Sequence, residues 1–264
     1  MSATSTETDT ATEAVLYEVV DGAAWITINR PEARNALNLA VRTGLKELLL
    51  RAEADDAVQV VVLTGAGEKA FCAGGDLKEM ASTGLTIPPP DFVPQPGRTV
   101  EVTKPVIAAV NGGAFGGGFL LAQSADLVVA ADTATFAVSE AKVGRGSPWA
   151  APLPWLVPPR AAMEILLTGD RVDARRAHEM GLVNRVVPAA ELRAATSALV
   201  ATIVANAPLS VRAAKRMVYA VAEHGRTPAF EVAEEIWAPV YLSEDAQEGP
   251  RAFAEKRRPR WQGR

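Results

Sequence analysis

The sequence predicts an α/β protein whose strand-and-helix core runs to about residue 190 and gives way to a mostly helical remainder. Three observations carry that expectation. Residues 58–63 and 104–110 are nearly unbroken apolar runs, the pattern of strands buried on both faces of a parallel or spiral sheet. Each is followed by a glycine-rich stretch that opens toward a helical pattern. Beyond Pro152 one segment after another favours helix.

Taken in order, residues 15–20 and 24–29 read as short strands joined by Asp21-Gly22, a strong hairpin turn. Arg30-Pro31 closes the second strand, because proline cannot extend a ladder. From Asn38 the period lengthens. Val41, Leu45, Leu48 and Ala52 fall on one face of a helix, with Asn38 as its N-cap. The 58–63 strand follows, and Thr64-Gly65-Ala66-Gly67 turns the chain away. Residues 76–81 form a short helix. Residues 82–97 hold Pro88, Pro89, Pro90, Pro94 and Pro96, which forbid regular structure, so this is a surface loop, either a binding loop or a plain linker. The 104–110 strand leads into a glycine-rich turn over 111–118 and a helix over 117–124. Residues 127–131 and 135–137 are further strands. Helices are expected over 160–167, 174–180, 189–205, 209–223 and 228–241. A last one falls within 243–256, where Pro250 could mark a new start. The apolar stretch 106–131 contains Asn111, Gln123, Asp126 and several glycines, so it reads as a buried strand–loop–helix–strand passage, not a membrane span.

Composition limits the function classes. A chain of 264 residues can bury a core without staples. With 48% apolar and 22% charged residues, disorder of the whole chain is excluded. The formal net charge of −4 and the lack of a broad basic stripe argue against a nucleic-acid binder. The single cysteine, Cys72, excludes an internal disulfide and a multi-cysteine zinc site, and reads as a small buried filler. His178 and His224 form no HExxH, so no metal is expected. Residues 1–14 lack the basic and apolar regions of a secretory signal and read as a disordered tail. With the lone cysteine, this gives a cytoplasmic expectation.

Two glycine-rich segments carry the chemistry. Asn111-Gly112-Gly113-Ala114-Phe115-Gly116-Gly117-Gly118 lies between a buried strand and a helix, where a ligand can approach backbone N–H groups that lack an intrahelical partner. It fits neither the dinucleotide GxGxxG pattern nor a P-loop. Phe71-Cys72-Ala73-Gly74-Gly75-Asp76-Leu77 has the same setting. Two such turns can aim two amides at one oxygen, which is what an oxyanion hole needs.

Several motifs in order resemble the crotonase superfamily, the enoyl-CoA hydratase/isomerase family. They are Phe-Cys-Ala-Gly-Gly-Asp-Leu-Lys-Glu-Met at 71–80, Lys-Pro-Val-Ile-Ala-Ala-Val-Asn-Gly at 104–112 and Gly-Gly-Gly at 116–118. Arg30-Pro31, Asn35-Ala36-Leu37-Asn38, Leu167-Thr168-Gly169-Asp170, Gly181-Leu182-Val183-Asn184 and Phe253-Ala254-Glu255-Lys256-Arg257 support them, so the likeness spans 16–263. It implies a crotonase (ClpP-like) spiral of repeated β-β-α units over 15–200 with a helical C-terminal trimerisation or lid region over 201–264. It also implies a homotrimer or a hexamer of paired trimers. The implied substrate is an acyl-CoA thioester, with no cofactor besides the coenzyme A that the substrate carries.

Carried over residue by residue, the resemblance makes Gly75 and Gly117 the amides that hold the thioester oxygen. It places further substrate contacts at Arg34, Ala36 and Ala73, near an adenine pocket, and at Asp76 and Leu77. Family hydratases carry one glutamate two residues after the triple glycine, and that position is Leu120. Their second glutamate corresponds to Glu140. Leu120 with Glu140 resembles the isomerase arrangement, in which a single carboxylate moves a proton from C2 to C4 through a dienolate. Asp126 and Asp132 are the other nearby acids in sequence. The stretch Arg145-Gly146-Ser147-Pro148-Trp149 departs from the family pattern, and Trp149 and Trp155 serve either the acyl pocket or packing. Lys256, in the basic run at 256–260, either complements a helix C-terminus or meets the coenzyme A phosphates. The leading expectation is a shift of 3-enoyl-CoA to 2-enoyl-CoA. The alternatives are a hydratase with a non-standard second acid and a non-catalytic acyl-CoA binding protein.

Overall fold

The computed structural model describes residues 14–264; the tail expected over 1–14 lies, except for Ala14, outside them. β1 (Val15–Val20) and β2 (Ala23–Ile28) form the expected hairpin, with Val20 opposite Ala23. Asp21 and Gly22 both take positive φ, +49° and +79°, which suits the twist of a two-residue turn. α1 (Leu39–Ala54) begins where the Asn38 side chain accepts the Val41 amide at 3.0 Å. Val41, Leu45, Leu48 and Ala52 are buried along its inner face, as their spacing requires.

The chain then winds in repeated turns. β3 (Val60–Gly65), β4 (Ala70–Cys72) and α2 (Leu77–Thr83) make the first. β5 (Val106–Val110), β6 (Gly113–Phe115) and α3 (Gly117–Gln123) make the second. β7 (Leu127–Ala131) and β8 (Thr135–Ala137) open the third, followed by a 3-10 turn over Ser139–Val143, α4 (Leu153–Leu156) and α5 (Pro159–Thr168). β9 (Val172–Asp173), α6 (Ala174–Glu179), β10 (Arg185–Val187) and α7 (Leu192–Val204) come next. α8 (Pro208–Val221), α9 (Arg226–Tyr241) and α10 (Glu244–Ala254) complete the described chain.

From β3 to β8 each turn gives its first strand to a six-stranded sheet ordered β1-β2-β3-β5-β7-β10 and its second to a four-stranded sheet ordered β4-β6-β8-β9; the hairpin β1–β2 and β10 complete the first sheet and β9 the second. β2, β3, β5, β7 and β10 pair in parallel, as do β4, β6 and β8; among the described strands, only β1 and β9 run antiparallel to their neighbours. This is the β-β-α spiral. The second sheet corrects the sequence reading, which has none of its strands β4, β6 and β9. The 111–118 stretch is not all turn but contains β6, a strand of Gly-Ala-Phe defined by its neighbours and not by its own alternation. The loop expected over 82–97 agrees better: past Thr83 the proline-bearing segment has no helix or strand up to the isolated bridge between Pro96 and Val100.

Two polar anchors join the layers. Lys104 is fully buried, and its ammonium donates to the Ala52 and Asp55 carbonyls at 2.7 and 2.6 Å, closing the C-terminal end of α1. Asp126 accepts the Val106 amide at 2.7 Å, pairs with Lys215 at 2.9 Å and accepts the Tyr219 hydroxyl at 2.8 Å, which fixes α8 to the core. α7 lies against β3, β5 and β7. Pro250 starts no helix. Ser243 caps α10, its hydroxyl accepting the Ala246 amide at 3.2 Å, and Pro250 sits inside. The broken backbone bond costs on the order of 3 kcal/mol. It is offset by the returning chain, whose Gln262 and Gly263 amides donate to buried Asp245 at 2.6 and 2.9 Å. No single helix among the described residues is long and apolar enough to cross a membrane.

Candidate active site

In the first two turns of the spiral the second strand ends in a glycine turn, and these two glycine turns meet. The stretch after β4 runs through Gly74 and Gly75 to Asp76, which caps α2 by accepting the Lys78 and Glu79 amides at 3.2 and 3.4 Å. The stretch after β6 runs through Gly116 into α3. Their contact is backbone against backbone. A methyl on Gly118 would lie 2.0 Å from the Cys72 carbonyl oxygen. One on Gly74, which has φ +97°, would lie 2.8 Å from the Phe115 oxygen and 3.3 Å from the Gly117 nitrogen. Only glycine permits this approach. Among the described residues, neither the Gly75 nor the Gly117 amide donates to a backbone or side-chain acceptor. Gly117 opens α3, so its N–H is one of the four that a helix start leaves unpaired.

Leu37 sits between the two turns. Its amide donates to the Gly74 oxygen at 2.8 Å and its oxygen accepts the Asp76 amide at 3.4 Å, so its backbone brackets Gly75. Its side chain lies 2.8 Å from the place a Gly117 methyl would take.

Glu140 comes from the 3-10 turn after β8. One carboxylate oxygen lies 3.1 Å from the place a methyl on Gly116 would occupy, and the other is buried without a hydrogen-bond partner. Glu140 thus stands beside the glycine turns. Burial pushes its carboxyl above the usual value, while its own amide and the Trp149 side chain oppose this. Trp149 is half-buried, 6.1 Å from the Phe119 ring, and the Gln123 amide donates to its carbonyl at 3.0 Å. Leu120, on α3, is 3% exposed and brings no carboxylate. The other two acids are engaged elsewhere: Asp126 holds α8, and Asp132 accepts the Ala189 amide at 3.2 Å.

The remaining predicted residues are spread more widely. Arg34 is exposed, with φ +52°, and lines an opening of about 260 Å³ with Pro31, Asn35 and Lys69. The Ala73 amide is committed to the Arg34 oxygen at 3.0 Å, and the Ala36 oxygen accepts from Arg30 at 2.8 Å. Asp76 pairs with Arg30 at 3.1 Å; burial alone would raise its pKa, but the Arg30 guanidinium and the α2 amides outweigh it and hold the carboxyl low. Leu77 is exposed. Lys256 is exposed just past α10, in left-handed conformation, with no ion pair among the described residues.

Sequence reasoning gave no individual role to Asn35 or Arg42. Asn35 is fully buried: its oxygen accepts the Arg30 amide at 3.0 Å and its nitrogen donates to the Ala70 and Ala66 oxygens at 2.7 and 3.0 Å. Its φ of +57° is a conformation asparagine tolerates better than most residues; in the sequence only the residue type, an asparagine shortly after Arg30-Pro31, points to it.

A β-β-α spiral that presents two free amides at the meeting of glycine turns places the molecule among crotonase-fold proteins. The comparisons agree. Residues 18–264 match the model of the enoyl-CoA hydratase/isomerase family. A carnitinyl-CoA dehydratase of Citrobacter koseri is 43% identical over 249 residues, which cover 90% of this chain and 94% of the relative. The crystal structure of an enoyl-CoA hydratase from Mycobacterium tuberculosis H37Rv superposes with a TM-score of 0.88 at 41% identity, covering 96% of this chain and all (100%) of that one. A hydratase structure from Mycobacterium marinum gives 0.88 at 40% identity, with 96% and 100% covered. The chain belongs to the enoyl-CoA hydratase/isomerase family.

Proposed function

We propose that this protein moves the double bond of a 3-enoyl-CoA to the 2-position, with Glu140 as its only proton carrier. The Gly75 and Gly117 amides hold the thioester oxygen. The Glu140 carboxylate takes a proton from C2, negative charge passes to that oxygen as a dienolate, and the protonated Glu140 returns the proton at C4. The coenzyme A of the substrate is the only group required. One observation carries the reading: Leu120, which the family resemblance puts at the position of the second acid, is buried and brings no carboxylate, and Asp126 and Asp132 are both tied elsewhere. An apolar wall there also keeps water from the dienolate.

Water addition or removal is the second reading, favoured by the relatives named carnitinyl-CoA dehydratase and enoyl-CoA hydratase. One experiment separates them. 2-Enoyl, 3-enoyl and carnitinyl thioesters are incubated separately in deuterated water and the products are weighed. Deuterium at C2 or C4 without added oxygen supports isomerisation. Gain or loss of water shows hydration chemistry. Tight binding of all three without turnover would make the chain a binding protein. Glu140→Gln should lower the isomerase rate by at least about a hundredfold, and a near-normal rate would end its role.

We further propose that the chain assembles as a homotrimer or paired trimers. Phe230, Tyr241, Leu242 and Phe253 on and between the last two helices are exposed apolar groups that self-association would cover. A monomer mass by light scattering would remove this reading.

A further inference from the structure

Arg42 touches three separate segments near Gly75. It lies on α1, its side chain 12% exposed. Its guanidinium donates to the Leu37 carbonyl at 2.7 Å and to Glu79 of α2 at 2.6 Å. Its central carbon stands 4.1 Å from the centre of the Phe92 ring, in the proline-rich loop. Glu79 is itself held, its other oxygen accepting the Leu39 amide at 2.8 Å. Next to Phe92, Val93 reaches within 3.5 Å of the place a Gly117 methyl would take.

We propose that Arg42 is a positioning residue that couples the proline-rich loop to the aim of the two amides. Its hydrogen bond fixes the carbonyl of Leu37, whose backbone brackets Gly75 and whose side chain packs on Gly117. Its ion pair fixes α2, which begins just after Gly75. Its flat face carries Phe92, so the loop that lays Val93 on Gly117 is seated by the same group. A planar fork with several donors and a stacking face can do all three; an ammonium cannot. The loop is then a supporting part of the site and not a linker. Supporting shells of this kind set how well hydrogen-bond donors are aimed before reaction.

This inference rests on the reading that Gly75 and Gly117 hold a thioester carbonyl, so its test reads that carbonyl directly. Crotonyl-CoA carrying carbon-13 at the thioester carbon is bound to the full chain, and its infrared carbonyl stretch is compared with the free ester. The parent should shift the stretch to lower frequency. Arg42→Ala should lose at least half of that shift and lower kcat on 3-enoyl-CoA about tenfold or more, with KM changed less than about threefold. Arg42→Lys, which keeps the charge for Glu79 but not the face for Phe92, should fall between. Phe92→Leu should move kcat and the stretch in the same direction, less far, with an unchanged melting temperature. If Arg42→Ala does not fold, Arg42→Lys and Phe92→Leu decide. A lower melting temperature with unchanged stretch and kcat would make Arg42 structural only and overturn the proposal. A loss confined to KM would make it a contact for the coenzyme and also overturn it. A parent that shows no shift removes the thioester reading itself, whereas a parental shift that all three variants retain removes only the role of Arg42.

Discussion

Consider Gly74→Ala. The new methyl would stand 2.8 Å from the Phe115 oxygen, closer than real methyls approach, and 3.3 Å from the Gly117 nitrogen. Both neighbours are backbone, so neither can swing aside as a side chain would. Overpacking of this kind costs about 1–3 kcal/mol, and a non-glycine residue in left-handed backbone, here φ +97°, adds about 1–2 kcal/mol. The sum is about 2–5 kcal/mol. At about 2–4 °C per kcal/mol for a domain of this size class, the melting temperature falls by roughly 4–20 °C. The relief available is to part the two turns, which displaces the Gly117 amide. Losing one such donor costs about 10²–10³ in kcat. Thermal melting followed by circular dichroism reads the first quantity, and turnover of 3-enoyl-CoA well below the melting range reads the second. If Gly74→Ala melts with the parent and keeps its rate, the turns do not press together and the two-amide account is wrong.

Three further outcomes are expected. Leu120→Glu should raise water addition to 2-enoyl-CoA, measured as loss of conjugated absorbance; no gain at all would mean that the residue does not face the acyl carbons. Burial lifts Glu140 above its ordinary 4.5, so above that pH the folded chain holds more protons than the unfolded one and stability falls as pH rises. Glu140→Gln should therefore melt higher than the parent at about pH 8, with the gap closing as the pH falls below the ordinary carboxylate value; equal melting at both ends would deny the lifted titration. Asn35→Ala strips three hydrogen bonds from a fully buried site and should cost about 2–4 kcal/mol by denaturant unfolding, with a loss under about half a kcal/mol counting against it.

Much of this architecture could be read from residues alone, and the exceptions share a cause. The β1–β2 hairpin, the Asn38 cap and the apolar face of α1 follow from local rules acting over a few residues. β3, β5 and β7 announce themselves because strands covered on both sides are apolar throughout. β4, β6 and β9 do not: they have two or three residues each, and their existence depends on partners far along the chain. The glycine turns were visible as composition, but their mutual contact was not, since only folding brings Gly118 against Cys72. Asp76 read as part of a substrate motif, and the structure shows its carboxylate occupied by Arg30 and the start of α2. Arg42 gave no signal, because its partners Leu37, Glu79 and Phe92 are gathered from three separate segments.

Lys104 has a practical consequence. Its amine is sealed under the end of α1 and spoken for by two carbonyls. No acylating reagent or trypsin active site can reach it until that helix end lifts away from the sheet. Modification at this one position, followed over time, is therefore a built-in clock for the opening of the spiral, running independently of any assay for chemistry.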